Sequence, residues 1–184
     1  MSSQLHNRID ALDTPQGRQI LTEIGRGIEK ESLRITPDGK LAQTPHPAAL
    51  GAALTHSSIT TDYSEALMEF ITPVSQSIEA SLCTLEQVHS YVYQHLGEDI
   101  LWSASMPCIM TGDDGIPVAQ YGSSNVATMK TVYRYGLGHR YGRLMQTIAG
   151  IHYNFSMPAE FWQNAWQESG GEGTLKDYST TRYL

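Results

Sequence analysis

The sequence predicts an α+β fold, in which strand-like segments are combined with helices and at least one hairpin. Three segments, residues 24–35, 59–73 and 145–157, have the composition and alternation of strands. Residues 75–97 instead carry apolar side chains at helical spacing. The turn sequence Pro37-Asp38-Gly39 predicts a hairpin, which makes the strands it joins antiparallel.

Composition narrows the class of protein. The chain has 184 residues, which suits one domain or a large piece of one, and its 40% hydrophobic and 17% charged content argues against disorder. The net charge of -7 argues against nucleic acid or an anionic membrane as a partner. The N-terminus has no apolar signal region and no run reaches membrane-spanning length, so a cytoplasmic location is the default expectation.

The first elements follow from local signals. A helix is predicted within residues 1–23, with Thr14 as a possible N-cap and Pro15 in the first turn. The strand over residues 24–35 ends at the Pro-Asp-Gly turn, and residues 43–58 look like a loop.

Residues 59–73 are predicted to be strand at both ends, with a turn or bulge at residues 64–66. Glu69 alternates with Met68 and Phe70, so its carboxylate should face away from two large apolar side chains.

The clearest helix covers residues 75–97 and ends near Gly97. Its expected apolar face consists of Ile78, Leu82, Leu85, Val88, Val92 and Leu96. Cys83 lies in this pattern and is predicted to be an inert core thiol, and Cys108 is also predicted to be structural. Short strand and turn are expected over residues 98–118.

Residues 119–144 are rich in Gly, Tyr and Arg, and two interpretations stay open. Arg134, Arg140 and Arg143 could snorkel from a surface loop and helix. Alternatively, they could clamp carboxylates or phosphates, which the planar guanidinium group does well.

In the strand predicted over residues 145–157, His152 and Asn154 alternate with apolar residues and share a polar face. A short helix is expected over residues 158–168, with Pro158 in its first turn. The tail from Gly170 to Leu184 is weakly specified and shows no closing element.

Glu29 and Glu31 stand two residues apart in the first strand, so their carboxylates point to the same face. Like charges on one face repel each other unless a cation lies between them, and Mg2+ prefers such oxygen ligands. A solvated strand face is the other interpretation of this pair.

Other strands add polar groups that could share a cavity with this pair, namely Asp62, Glu69, His152 and Asn154. Several carboxylates and one imidazole can hold divalent ions that bridge nucleotide phosphates. The chain has no G-x-x-x-x-G-K-[ST] loop, so metals and strand side chains would have to hold ATP.

At this point a family resemblance is evident. The chain resembles the N-terminal part of proteobacterial glutamate–cysteine ligases (γ-glutamylcysteine synthetases), and the resemblance covers roughly residues 20 to 165. The stretches that carry it are residues 26–34, 53–56, 59–73, 105–108, 119–125 and 140–156, the last reading Arg-Tyr-Gly-Arg-Leu-Met-Gln-Thr-Ile-Ala-Gly-Ile-His-Tyr-Asn-Phe-Ser.

The resemblance implies a glutamine-synthetase-like antiparallel sheet curled into a funnel, of which residues 1–184 would form the N-terminal, incomplete part of one catalytic domain. It also implies that ATP and Mg2+ (or Mn2+) activate the γ-carboxylate of L-glutamate as an acyl phosphate. The amine of L-cysteine then attacks, giving γ-glutamylcysteine for glutathione biosynthesis.

By the same resemblance, the metal ligands are Glu29, Glu31, Asp62, Glu69 and His152. Tyr63 and Tyr133 resemble residues that line the cysteine pocket, and Gln146 and Asn154 are expected to contact glutamate. No side chain stands out as a general base, so the chemistry is expected to depend on positioning and electrostatics.

Family members are far longer than this chain, which leaves two alternatives beside the ligase. The chain could be a non-catalytic module that binds metal, nucleotide or an amino acid. It could also be a piece that needs a partner segment in order to fold.

Overall fold

The computed structural model describes His6, residues 9–10 and residues 12–183. These residues fall into two compact units. The larger comprises Gly27–Pro73 and Glu79–Asn154, and the smaller comprises Met1–Arg26, Val74–Ile78 and Phe155–Leu184. The strands are β1 (Gly25–Ile35), β2 (Ile59–Thr61), β3 (Leu67–Ile71), β4 (Ile100–Leu101) and β5 (Ile151–Ser156). The α-helices discussed below are α1 (Pro15–Thr22), α2 (Ile78–Tyr93), α3 (Asn125–Tyr141), α4 (Ala159–Glu168) and α5 (Leu175–Tyr183).

The sheet runs in the order β2-β3-β1-β4, and β5 pairs with β1. The β1–β3, β2–β3 and β1–β4 pairs are all antiparallel. The α+β prediction with an antiparallel sheet is therefore confirmed. The predicted turn after β1 is also present, since Gly39 has a φ of 83° and Ile35 bridges Leu41 in antiparallel fashion.

The core of the larger unit lies on both sides of β3. Met68 and Phe70, each 0% exposed, pack into a cluster with Val92, which lies in α2, and Leu96, which follows that helix. Leu67 belongs to a second cluster. Since neighbouring residues of a strand point to opposite faces, Glu69 is directed away from the α2 cluster, as predicted.

Helix α2 is shorter than its predicted range, and its apolar stripe is buried only toward the C-terminal end. Val92 and Leu96 are buried, whereas Ile78 and Leu82 remain 55% and 53% exposed. The prediction that Cys83 is a core thiol is wrong: its side chain is exposed, because it lies in the half of the helix that the core does not cover. Cys108 packs partly buried against the core, as expected.

The smaller unit confirms two predicted helix starts and adds a helix that the sequence did not predict. Thr14 caps α1 by accepting a hydrogen bond from the Gly17 amide at 3.0 Å, and Pro158 precedes α4. In the weakly specified tail the structure has α5, whose Tyr183 ring lies 4.9 Å from that of Trp162. The part of the predicted N-terminal leader at residues 1–5, 7–8 and 11 lies outside the described residues.

Within the described ranges, no helix combines the length and apolar character that crossing a bilayer requires.

Candidate functional site

The candidate site is a face of the sheet on which carboxylates meet across strands. The β1–β3 register sets Glu31 directly opposite Glu69, and Glu29 opposite Ile71. Side chains directly opposite on antiparallel strands have Cβ atoms about 4.5–5.5 Å apart. Two glutamates therefore face each other at the shortest cross-strand spacing, with Glu29 next along the same face.

Burial of the neighbouring side chains fixes this orientation. A shift of one residue in the β3 register would turn Met68 and Phe70 to the carboxylate face and Glu69 into the α2 core. Because the apolar pair is fully buried, the register is strongly specified. The glutamate-to-glutamate contact thus follows from the same packing that builds the core.

Strand β5 brings the imidazole and an amide to the same face. Asn154 donates from Nδ2 to Oε1 of Glu29 at 2.8 Å, and His152 Nδ1 lies 3.4 Å from Oε2 of Glu29. Just before the strand, the Gly150 amide donates to Oε2 of Glu31 at 2.7 Å, while its carbonyl accepts from the Glu31 amide at 2.9 Å. Glu29, Glu31, His152 and Asn154 are therefore held together by hydrogen bonds between β1 and β5.

The electrostatics of this face are unfavourable for carboxylates without a cation. Burial, followed by the charges of Asp62, Glu29 and Glu31, raises the pKa of Glu69 from 4.5 to about 7. The pKa of Glu31 is also raised, chiefly by burial, although the hydrogen bond from Gly150 opposes this shift. No ion pair between the described residues joins either glutamate to a lysine or arginine.

Asp62 directly follows β2 and lies near enough to influence both of these glutamates. Its charge contributes to the raised pKa of Glu31 and of Glu69. The Asp62 carbonyl accepts hydrogen bonds from Arg134 Nε and from the Tyr121 hydroxyl. Backbone contacts therefore anchor Asp62, while its carboxylate adds to the negative potential of the site.

The predicted substrate residues are placed differently from one another. Asn154 lies in the site, as described, and Gln146 is half-buried in the short 3-10 helix Leu144–Thr147 that precedes β5. Tyr133 lies on α3 and is 63% exposed. Tyr63 is only 1% exposed in the core, and its hydroxyl has no hydrogen-bond partner among the described residues. The core covers this side chain in the structure. The expectation that Tyr63 lines a pocket therefore stays a prediction.

The three arginines make different contacts, and Arg140 is exposed, with its guanidinium 5.7 Å from the Tyr141 ring centre. Arg134 is buried, with its guanidinium on the Asp62 and Lys130 carbonyls and 4.8 Å from the Tyr121 ring centre. Arg143 donates to the Ile116 carbonyl at 3.1 Å. The snorkelling interpretation describes neither residue, because backbone oxygens bind both guanidinium groups. No local pattern predicts these backbone partners, because they come from distant parts of the chain.

A divalent cation fits the donor chemistry of the face. Glu29, Glu31, Asp62 and Glu69 supply hard oxygen donors, and His152 adds a nitrogen. Burial, together with the charges of its carboxylate neighbours, raises the pKa of Glu69. The side chains have not converged into a closed cage: across the described residues, no three His, Cys, Asp or Glu groups are arranged to hold a metal ion. The five-ligand metal site therefore remains a prediction.

Comparison with known proteins relates this chain to one family. Residues 9–184 match the sequence model of a family described as glutamate-cysteine ligase. A glutamate–cysteine ligase from Alcanivorax borkumensis is 62% identical over 180 residues, which cover 98% of this chain and 34% of that protein. One from Saccharophagus degradans is 57% identical over 165 residues, covering 90% and 31%. The chain thus spans about a third of the length of these curated relatives.

Two solved structures share the fold. A glutamate–cysteine ligase from Francisella tularensis in complex with AMP superposes with a TM-score of 0.78 at 42% identity, covering 80% of this chain and 30% of that one. A bifunctional glutathione synthetase from Pasteurella multocida also gives a TM-score of 0.78, at 31% identity, covering 87% and 21%.

Proposed function

Because the chain belongs to the glutamate–cysteine ligase family, we propose that it forms the N-terminal part of a catalytic domain that joins L-glutamate to L-cysteine with ATP. The product would be γ-glutamylcysteine, the dipeptide from which glutathione is made. The chain spans 34% of the length of the Alcanivorax relative, so the activity is proposed for the domain to which residues 1–184 contribute.

One observation carries the proposal: Glu31 and Glu69 are directly opposed on neighbouring strands, with Glu29 beside them, and among the described residues no ion pair joins any of the three to a lysine or arginine. Opposed like charges destabilise a sheet. When both glutamates are ionised, a cation bound between them would relieve this repulsion.

Mg2+, or Mn2+ in its place, is the cation we propose, with Glu29, Glu31, Asp62, Glu69 and His152 as the residues that would hold it. When bound, the metal would neutralise charge on the phosphate oxygens of ATP. The hydrogen bonds among Asn154, Gly150 and the two β1 glutamates hold the donors in place before any ligand arrives.

The proposed reaction has two steps. The γ-carboxylate oxygen of glutamate attacks the terminal phosphorus of ATP, which forms an acyl phosphate and releases ADP. The unprotonated cysteine amine then attacks the acyl carbon, the carbon–oxygen bond to phosphate breaks, and inorganic phosphate leaves while solvent takes the proton from the nitrogen. No side chain on this face is placed as a dedicated base, so the chain acts by orienting reactants and compensating charge.

We propose Tyr63, Tyr133, Gln146 and Asn154 as the residues on this chain that contact the amino-acid substrates. Asn154 has the most direct support, because it lies within hydrogen-bond distance of Glu29. The amide of Asn154 could therefore position glutamate close to the carboxylate face. We further propose a cytoplasmic location, where the nucleotide and both amino acids are available.

The decisive experiment is coupled ADP release by this chain with Mg-ATP, glutamate and cysteine. Turnover should require all three and should disappear in Glu29→Gln. The matched control is Glu86→Gln, an exposed glutamate on α2 that should leave the rate unchanged. Metal and nucleotide binding without ADP release would favour the alternative of a binding module. Absence of both metal and nucleotide binding would overturn the proposal for this chain.

A further inference from the structure

The loop that leads into β5 approaches the carboxylate face very closely at Gly150. A Cβ atom added to Gly150 would lie 2.9 Å from His152 Nε2 and 3.3 Å from His152 Cδ2. The next nearest atom, Oε2 of Glu31, would be at an ordinary contact distance of 3.6 Å. The space that a side chain would occupy at this position is therefore the space in which the His152 imidazole lies.

The atom in conflict decides what a side chain at this position would do. Nε2 is at the far end of a side chain that is 58% exposed, so the imidazole can swing away at little cost. The backbone of Gly150 cannot retreat as easily, because its amide and carbonyl both bond to Glu31. Alanine at 150 should therefore displace His152 and leave the strand pairing intact.

We propose that Gly150 is a positioning residue for His152: the missing side chain lets the imidazole lie beside Glu29, while the Gly150 amide holds Glu31. This inference deepens the proposed function and rests on it for the role of His152 as a metal ligand. The amide of Gly150 also donates a hydrogen bond to Oε2 of Glu31. This bond fixes the direction in which the Glu31 carboxylate faces.

The first test needs no metal. In the parent chain, Glu29→Gln should move the NMR resonance of the His152 ring, since Nδ1 lies 3.4 Å from Oε2 of Glu29. In a Gly150→Ala background the same substitution should leave the His152 resonance unmoved. The matched control is Gly136→Ala on α3, where an added Cβ meets nothing within 4 Å, and the response should persist there. An unchanged response in Gly150→Ala would overturn the proposal.

The second test measures Mn2+ affinity by calorimetry. Gly150→Ala should weaken binding by about 10-fold, as loss of a supporting contact around a metal does, and Gly136→Ala should not. In a His152→Ala background the Gly150→Ala effect should vanish, because the imidazole it displaces is already absent. If Gly150→Ala still weakened Mn2+ binding by about 10-fold in the His152→Ala background, Gly150 would not act through His152.

The two tests separate this inference from the proposed function. If the parent chain binds no Mn2+, the metal site of the proposed function fails, and the NMR response still decides whether Gly150 positions His152. A thermal melt of each variant shows whether the fold is retained. If Gly150→Ala lost its cooperative melt, the expected local effect would be wrong and the proposal would fall.

Discussion

The charged side chains on the two faces of strand β1 differ in whether they have a partner of opposite charge. On one face, Arg34 is 0% exposed and donates to Asp99 at 2.6 Å and to the carbonyls of Thr44 and Glu65. On the other, Glu31 and Glu69 oppose each other, and no ion pair within the described part of the chain joins either to a lysine or arginine. The first face pairs its buried charge within the chain and has a structural role, although Nε of Arg34 has no hydrogen-bond partner among the described residues. The second leaves negative charge uncompensated, which is the pattern expected where an external cation binds.

The largest effect on stability should come from removing the buried ion pair between Arg34 and Asp99. Arg34→Met should lower the free energy of unfolding by about 3–5 kcal/mol, because Asp99 and two carbonyls lose their buried partner. Urea unfolding measures this. Arg18→Met is the matched control, since its ion pair with Asp13 is exposed, and it should change stability very little. Equal losses in both variants would remove the contrast between buried and exposed pairs.

The next largest effect should be on metal binding at the face that carries Glu31 and Glu69. Glu69→Gln should weaken Mn2+ binding by at least about 10-fold, because a proposed ligand loses its charge. The same variant should be as stable as the parent without metal, or more stable by about 0.2–1 kcal/mol, since the repulsion from Glu31 is removed. Calorimetry and urea unfolding give the two values. A variant that binds Mn2+ like the parent would show that the face is not a metal site.

The stability of the chain should also depend on pH through Glu69, which lies on the carboxylate face. The pKa of Glu69 is raised from 4.5 to about 7, so the folded chain holds this proton more tightly than the unfolded chain does. The stabilisation from protonated Glu69 is fully present below pH 4.5 and is lost as the pH rises through 7. Mn2+ should therefore raise the melting temperature more at pH 8 than at pH 5.5.

Glu69→Gln is the control for this measurement, because it removes the titrating group and should flatten the difference between the two pH values. His46 acts in the opposite direction: burial lowers its pKa from 6.5, so its contribution favours folding at higher pH and falls as the pH drops below 6.5. A metal effect that is equal at both pH values would argue against ionised Glu69 as a ligand.

The smallest effect is expected at Tyr63. Its hydroxyl is buried without a partner among the described residues, so Tyr63→Phe should change the free energy of unfolding by less than about 1 kcal/mol, or stabilise the chain slightly. Thermal melts measure this. If turnover is observed, an increased KM for cysteine in Tyr63→Phe would support the pocket role that the family resemblance implies. An unchanged KM would assign Tyr63 to the core.

The sequence predicted the elements of the site better than their contacts. Alternation within β1 and β3 was enough to place Glu29 and Glu31 on one face and to turn Glu69 away from the core. Direct opposition of Glu31 and Glu69 depends on register, which long-range packing of Met68 and Phe70 determines and a local pattern does not contain.

Errors arose where tertiary context overrides local pattern. The apolar stripe of α2 is real, but neighbours cover only its C-terminal half, so Cys83 is exposed. Helix α5 carries almost no apolar periodicity, which is why the tail gave no helical signal. On β5, the apolar residues Ile151, Tyr153 and Phe155 are 59–66% exposed, so their alternation did not indicate burial in this chain.

The opposed glutamates also bear on how fast the sheet assembles. The β2–β3 pair closes locally across residues 62–66, whereas β1 joins β3 across more than 30 residues and must bring Glu31 against Glu69. The slower, non-local pairing thus meets charge repulsion at the moment of docking. A divalent cation would screen that encounter, so it should accelerate refolding as well as retard unfolding, because it would stabilise both the docking of this strand and the folded sheet.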